Sequence, residues 1–186
     1  MLRKLFLPVL SFCAFLLSGQ TFTGTTGNIS DDGALNDYHA QVSGIATPLN
    51  AGYGLVKVCL NITHTWDSDL NVSLVAPDGT TVNLFSGLGG DGDDFSGTCL
   101  SQDVSESINQ GSAPFSGLFR PQQTLGNVNN GQSANGNWVL RILDTYPDAD
   151  TGSVLGWSIE FGANAATPFV FTSSNLPIVV LNTNGQ

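Results

Sequence analysis

The chain of 186 residues carries five Lys and Arg against fifteen Asp and Glu, a formal charge of −10. So acidic a balance disfavours nucleic acid and anionic membrane as partners, because both repel a negative surface. Only 11% of the residues are charged. Acidity alone therefore describes a soluble exported surface more readily than a cation-binding protein, and the placement of the carboxylates has to decide between the two.

The chain opens on a secretory signal. Arg3 and Lys4 precede an apolar run from Leu5 to Leu17, which ends in the small, polar stretch Ser18-Gly19-Gln20. That run is too short to span a bilayer well, and Gln20 stands where a lipoprotein needs its acylated cysteine. Residues 1–19 are read as the signal, residues 20–162 as one domain, and the product as secreted or held at the cell surface. Three cations, Lys57, Arg120 and Arg141, then face all fifteen carboxylates. Cys13 falls in the signal, so Cys59 and Cys99 remain, an even pair that an oxidising compartment favours joining. The loop closed would be about forty residues and the stabilisation roughly 4 kcal/mol; two buried free thiols are the alternative.

Short apolar alternations bounded by Gly, Pro, Asn and Asp predict strands throughout, and no segment sustains a helical period. Strands are expected over Ala40–Ala46 and Gly54–Ile62. Leu70, Val72 and Leu74 share one face of the next, with Asn71 and Ser73 on the other; Pro77-Asp78-Gly79 turns the chain, and Val82 and Leu84 resume the pattern. Gly87 to Phe95 is a glycine-dense loop with Asp91, Asp93 and Asp94, unable to pack a core. Ser105 to Gly136 reads as long surface loops around apolar anchors such as Phe115 and Leu118. Trp138, Leu140 and Ile142 mark a further strand. Leu155, Trp157, Ile159 and Phe161, alternating with Gly156, Ser158 and Glu160, give the clearest period of two. Residues 163–186 are read as a small-residue linker and the opening of a following module, with a strand over Leu176–Leu181. The sum is an all-β, jelly-roll-like sandwich of about eight short antiparallel strands.

The most informative stretch runs from His64-Thr65 through Asp69-Leu70 and its strand to Pro77-Asp78-Gly79-Thr80. Downstream follow Asn135-Gly136-Asn137-Trp138-Val139-Leu140, Asp144, Asp150-Thr151-Gly152 and Leu155-Gly156-Trp157-Ser158-Ile159. In this order and spacing they resemble the P domain (P/Homo B domain) of proprotein convertases, over roughly Gly33 to Gly162. The resemblance implies a jelly-roll sandwich that, in kexin- and furin-like proteases, sits beside a subtilisin-type serine endopeptidase domain and supports its folding or stability. None of that catalytic domain's local signatures occurs in this chain. The implied role is a non-catalytic accessory or binding module for a protein partner or neighbouring domain, a protease among them.

Calcium follows from the residues themselves, since Ca²⁺ takes six to eight hard oxygens and loops rich in aspartate and carbonyls supply them. Asp67 and Asp69 precede a strand, while Asp144, Asp148 and Asp150 lie in one connection; if these loops meet, their mutual repulsion favours a bound cation. Asp103, just after Cys99, joins them if the disulfide draws it to the same end. Asp31, Asp32 and Asp37 form an alternative cluster, and each aspartate also has the plain reading of a solvated turn.

Catalytic readings are weaker. His64 has aspartate and serine nearby in sequence, but a triad is defined in space, and the family pattern makes this histidine structural. Asp150-Thr151-Gly152-Ser153 matches the short aspartic-protease signature, yet only one copy exists and no apolar strand precedes it. His39 and His64 stand alone, without the spaced partners zinc enzymes use, and the Gly87 to Gly92 run lacks a phosphate loop's lysine and helix. Asn28, Asn61 and Asn71 open glycosylation sequons that matter only in a eukaryotic secretory route. A carbohydrate-binding or adhesion sandwich, stacking cell-surface glycan on Tyr38, Tyr53, Trp66 or Tyr146, is the main alternative, and a hydrolase is the third.

Overall fold

The computed structural model describes residues 19–46 and 48–170. All but the last residue of the predicted signal, and the strand predicted over Leu176–Leu181, lie outside the described residues. Among those described, ten strands form two sheets. The larger contains β1 (Gln20–Thr23), β2 (Gly27–Ile29), β4 (Tyr53–His64), β7 (Phe95–Ser101), β8 (Gly117–Phe119) and β10 (Gly152–Ala163). Its order is β1-β10-β4-β7-β8, with β2 also paired to β10. The smaller contains β3 (Leu35–Val42), β5 (Leu70–Val75), β6 (Thr81–Ser86) and β9 (Gly136–Asp144), in the order β3-β9-β5-β6.

Alternation in the sequence becomes the core. Leu70, Val72 and Leu74 of β5, and Trp138, Leu140 and Ile142 of β9, are completely enclosed. They face Val58 and Ile62 of β4 and Trp157, Ile159 and Phe161 of β10 in one continuous cluster, so Leu70 and Trp157 share an interior although they belong to opposite layers. Aromatic contacts join the layers at two places. Trp138 meets Phe161 edge to face with centroids 5.4 Å apart. Phe95 lies stacked between Phe85, at 4.4 Å, and Phe115, at 4.7 Å. Each fully buried side chain of this size contributes about 1.5–3 kcal/mol by leaving water.

The structure departs from the sequence reading where elements are short or kinked. The described residues hold ten strands rather than about eight, because β1, β2 and β8 are three or four residues long, too short to display a period. β8 runs parallel to β7, so the larger sheet is not wholly antiparallel. A register shift between Val154 and Gly156 breaks the alternation of β10; Val154 turns inward and Leu155 is left 55% exposed. In β8 it is Phe119 that points to the core, which leaves Leu118 outside. The predicted loop stretch from Ser105 also holds two single-turn 3-10 helices, Ile108–Gln110 and Leu125–Val128, which bury Ile108, Leu125 and Val128. Beyond β10 the chain stays docked: the Asn129 side chain donates to the Ala166 carbonyl at 2.9 Å and to that of Leu55 at 3.2 Å.

Cys59 and Cys99 face each other directly across β4 and β7 and form a disulfide spanning 40 residues of sequence. Replacing both with alanine should lower the unfolding free energy by about 2–5 kcal/mol, since the closed loop restricts the unfolded chain. Urea titrations of the two proteins check this; coincident midpoints would contradict it.

Candidate functional site at the acidic rim

Strand register decides which loops meet. Gly152 pairs with His64, and Leu70 with Asp144, so the connections 65–69 and 145–151 share one end of the sandwich. The glycine-rich connection 87–94 reaches the same end, because the chain re-enters the sheet at Phe95 beside Ile62.

His64, the last residue of β4, ties these loops together. Its imidazole is enclosed, with Nε2 3.1 Å from Asp144 Oδ2 and Nδ1 2.9 Å from the Trp66 carbonyl. Its backbone N–H donates to Asp94 Oδ1 at 3.0 Å, and its carbonyl accepts from the Asp94 N–H at 3.2 Å. Asp144 is used up in turn, since Oδ1 accepts from the Tyr146 N–H at 3.0 Å. Both ring nitrogens of His64 are thus engaged by groups of the protein itself.

The remaining predicted ligands divide. Asp69 and Asp150 lie side by side; burial, and then the neighbouring Asp150 and Asp144 carboxylates, raise the Asp69 pKa. Asp150 accepts from Thr65 Oγ1 at 2.9 Å, and its N–H donates to Asp31 Oδ2 at 3.1 Å. Asp148 is exposed on the same connection, tied through its N–H to the Asp31 carbonyl at 3.0 Å. Asp103 stands apart, with Leu55 and Ala165 at the opposite end of β4. The alternative cluster separates as well. Asp31 reaches the rim, Asp32 caps its own turn through the Ala34 N–H, and Asp37 holds Arg141 with two hydrogen bonds of 2.7 Å. Among the described residues no three His, Cys, Asp or Glu side chains gather as a metal-holding group.

Asp67 is different in kind. It begins a single 3-10 turn, Asp67–Asp69, is 0% exposed, and neither carboxylate oxygen has a hydrogen-bond partner. Burial pushes its pKa up to about 7; the His64 ring and the nearby Asp94 backbone N–H oppose the rise, and the Asp94 and Asp93 charges add to it. Against it packs the 87–94 loop, which the sequence marked as incapable of packing a core and as lacking the lysine and helix of a phosphate loop.

Trp66 and Tyr146, 45% and 62% exposed, line one cleft of about 520 Å³ together with Asp69 and Asp150. Tyr38 and Tyr53, the other candidate stacking residues, are buried and have no face to offer a ligand.

A family model described as the proprotein convertase P-domain matches residues 54–161. The chain belongs to the proprotein convertase P-domain family. The matched interval runs from β4 into β10 and includes every rim residue named above except Asp31. The P domain is 33% identical over 145 residues to leupeptin-inactivating enzyme 1 of Streptomyces exfoliatus, covering 77% of this chain and 26% of that protein. It is 30% identical over 145 residues to the transglutaminase-activating metalloprotease of Streptomyces mobaraensis, covering 77% of this chain and 15% of that protein. It therefore spans about a quarter or less of the curated relatives it matches. Among solved structures it is similar to the serine protease of Aeromonas sobria in complex with its chaperone, at 22% identity and TM-score 0.46, covering 80% of this chain and 27% of that one. For the same protease without the chaperone the TM-score is 0.43, with 22% identity over 78% and 26% of the two chains. Among the described residues of the P domain, no helix is long and apolar enough to cross a membrane.

A carboxylate whose folded pKa lies above its ordinary value of 3.8 costs stability when ionised. That cost is fully present above about pH 7 and is relieved as the pH falls. With divalent ions chelated, the melting temperature of the P domain should rise by several degrees as pH is lowered from about 8 to about 5. Asp37, Asp32 and Asp78, whose pKa values are lowered, lose their contributions only below this window. An Asp67→Asn variant should show a flatter profile. Thermal melts over the range check this, and a steady fall from pH 8 to 5 would contradict it.

Proposed function

We propose that this P domain is a non-catalytic accessory module of an exported protein, stabilising or targeting a protease that is its partner or its neighbouring domain. The family match over residues 54–161 carries this reading. The relatives support it, since the P domain accounts for 26% and 15% of two much larger proteins, one named an enzyme and the other a metalloprotease. The second name widens the expected company beyond the subtilisin-type domain that the sequence resemblance implied. A non-catalytic role is further supported by His64, whose two ring nitrogens are engaged within the protein.

The docking chemistry we favour is recognition of a basic side chain at the cleft between Trp66 and Tyr146. Two exposed aromatic faces attract a Lys or Arg cation, and the Asp69 and Asp150 carboxylates accept its hydrogen bonds. The acidic surface steers such a segment toward the rim, so association weakens with salt. Aromatic stacking on glycan is the second reading, favoured by the exposure of the same two rings.

Calorimetric titration with Arg- and Lys-containing peptides, neutral peptides and oligosaccharides separates these readings. Saturable, salt-sensitive binding of the cationic peptides is expected, weakened about tenfold or more by Trp66→Ala or by the Asp69→Asn and Asp150→Asn pair. Saturation by oligosaccharides alone would replace the peptide reading with the glycan one. Labelling by a serine-reactive fluorophosphonate probe would overturn the non-catalytic assignment.

A further inference from the structure

We infer that Gly54, Gly126 and Asn129 form a groove that holds extended backbone, and that its ligand is this chain's own exit segment, Ala165–Phe169, clamped at the end of the sandwich opposite the acidic rim. Strand pairing sets the place. β10 begins with Gly152 beside His64 at the rim and finishes with Ala163 beside Tyr53. There β4 outruns its other neighbour, because pairing with β7 starts only at Lys57, opposite Ser101. The Asn129 side chain supplies the missing partner. Its Oδ1 accepts from the Leu55 N–H at 2.8 Å, and its Nδ2 donates to the Leu55 carbonyl at 3.2 Å and to the Ala166 carbonyl at 2.9 Å. Asn129 is 3% exposed, so these bonds are shielded from water and costly to leave unmade. Farther along, Asn127 Oδ1 accepts from the Phe169 N–H at 3.4 Å. The exit segment takes part in these bonds through its main chain alone.

Two glycines make the seat. A Cβ added at Gly126 would lie 1.8 Å from the Thr167 carbonyl oxygen and 2.3 Å from its carbon, and one at Gly54 would lie 2.4 Å from Asn129 Oδ1 and 2.9 Å from Ala165 Cβ. Neither glycine has a positive φ, so backbone conformation does not require glycine at either position. One lies in the Leu125–Val128 turn and the other in β4, places where glycine weakens an element. Close approach is what demands it: the exit segment presses on Gly126, and the Asn129 amide and Ala165 press on Gly54. The obstacle at Gly126 is main chain, which cannot swing aside as a flexible side chain would. Ala165, 7% exposed, fills the space beside Gly54, so the small residues after β10 have a packing reason. A segment held by its carbonyl and pressed onto a glycine must lift off before a protease can take it as an extended strand. The junction leaving the domain is therefore shielded, and the course of the chain as far as Phe169 is fixed. Shielding matters most beside a protease, the company proposed above, but the groove stands whether or not that reading holds.

Backbone order parameters from nitrogen relaxation of the purified protein test the groove, together with digestion by elastase, which cuts after small residues, read by mass spectrometry. In the parent, Ala165, Ala166 and Thr167 should show order parameters of about 0.85, the value of rigid backbone, and values below about 0.6 would overturn the clamp. Gly126→Ala should free the segment, dropping these order parameters below about 0.6 and speeding cleavage between Ala163 and Thr167 about tenfold or more, while the resonances of β9 stay in place. Gly156→Ala, whose Cβ would meet nothing within 4 Å, is the control and should change neither readout. A folded Gly126→Ala protein that keeps the parent's order and resistance would contradict the inference. If that variant does not fold, the parent decides: cutting after Ala163, Ala165 or Ala166 as fast as in an unstructured peptide of the same sequence would sink the clamp, and resistance there would support it. The docking cleft lies at the other end of the sandwich, so Gly126→Ala should bind cationic peptides as the parent does, and failure of either reading leaves the other standing.

Discussion

Everything at the acidic rim depends on two sheets burying their apolar faces against each other. Trp138 against Phe161, and Phe95 stacked between Phe85 and Phe115, bolt the layers together at separate points. With the layers fixed, a shift of one residue in β4, β5, β9 or β10 would turn core side chains into solvent, so register is strongly specified. The pairs Gly152 with His64 and Leu70 with Asp144 then bring three loops together as a consequence of packing. Aspartates far apart in the chain become neighbours without any attraction between them.

Concentrating like charges at one end costs free energy, and the rim offsets it in two different ways. Asp144 and Asp94 are satisfied internally, by the His64 imidazole and backbone and by the Tyr146 N–H. His64 thus ties together Trp66, Asp94 and Asp144. Asp67 receives no such treatment, although it is the most enclosed carboxylate of the group. Asp69 and Asp150 instead stay at the surface beside Trp66 and Tyr146, where charge and aromatic area remain available to a partner. One end of the sandwich therefore combines a rigid support, a buried carboxylate and an exposed aromatic and acidic cleft.

Much of this was legible in the sequence because period-two alternation survives in long strands. Leu70, Val72 and Leu74, Trp138, Leu140 and Ile142, and Trp157, Ile159 and Phe161 could be assigned to the core directly, and Cys59 with Cys99 could be paired by their number and compartment. Leu155 and Leu118 were misleading for local reasons: a register shift in β10 exposes the first, and a three-residue strand cannot show its phase. The sequence raised the meeting of the 65–69 and 145–151 connections only as a condition, and the strand register supplies it. The partner of Asp67 was not, because a loop of glycine and aspartate has no periodicity and its position is set by where Phe95 rejoins the sheet. Asp103 shows the converse: closeness to Cys99 in sequence says little about the end of the strand on which a side chain emerges, and this one emerges beside Leu55 and Ala165.

The most direct check on the convergence of these loops is paramagnetic broadening of backbone amide resonances by substoichiometric Mn²⁺, an oxygen-seeking ion that reports where negative oxygens gather. Loss of signal should be confined to residues 64–69, 89–94 and 144–152, with residues around Asp103 and Arg120 untouched. Broadening spread evenly over the acidic surface, or centred on Asp103, would mean that the fold does not gather its carboxylates at one rim.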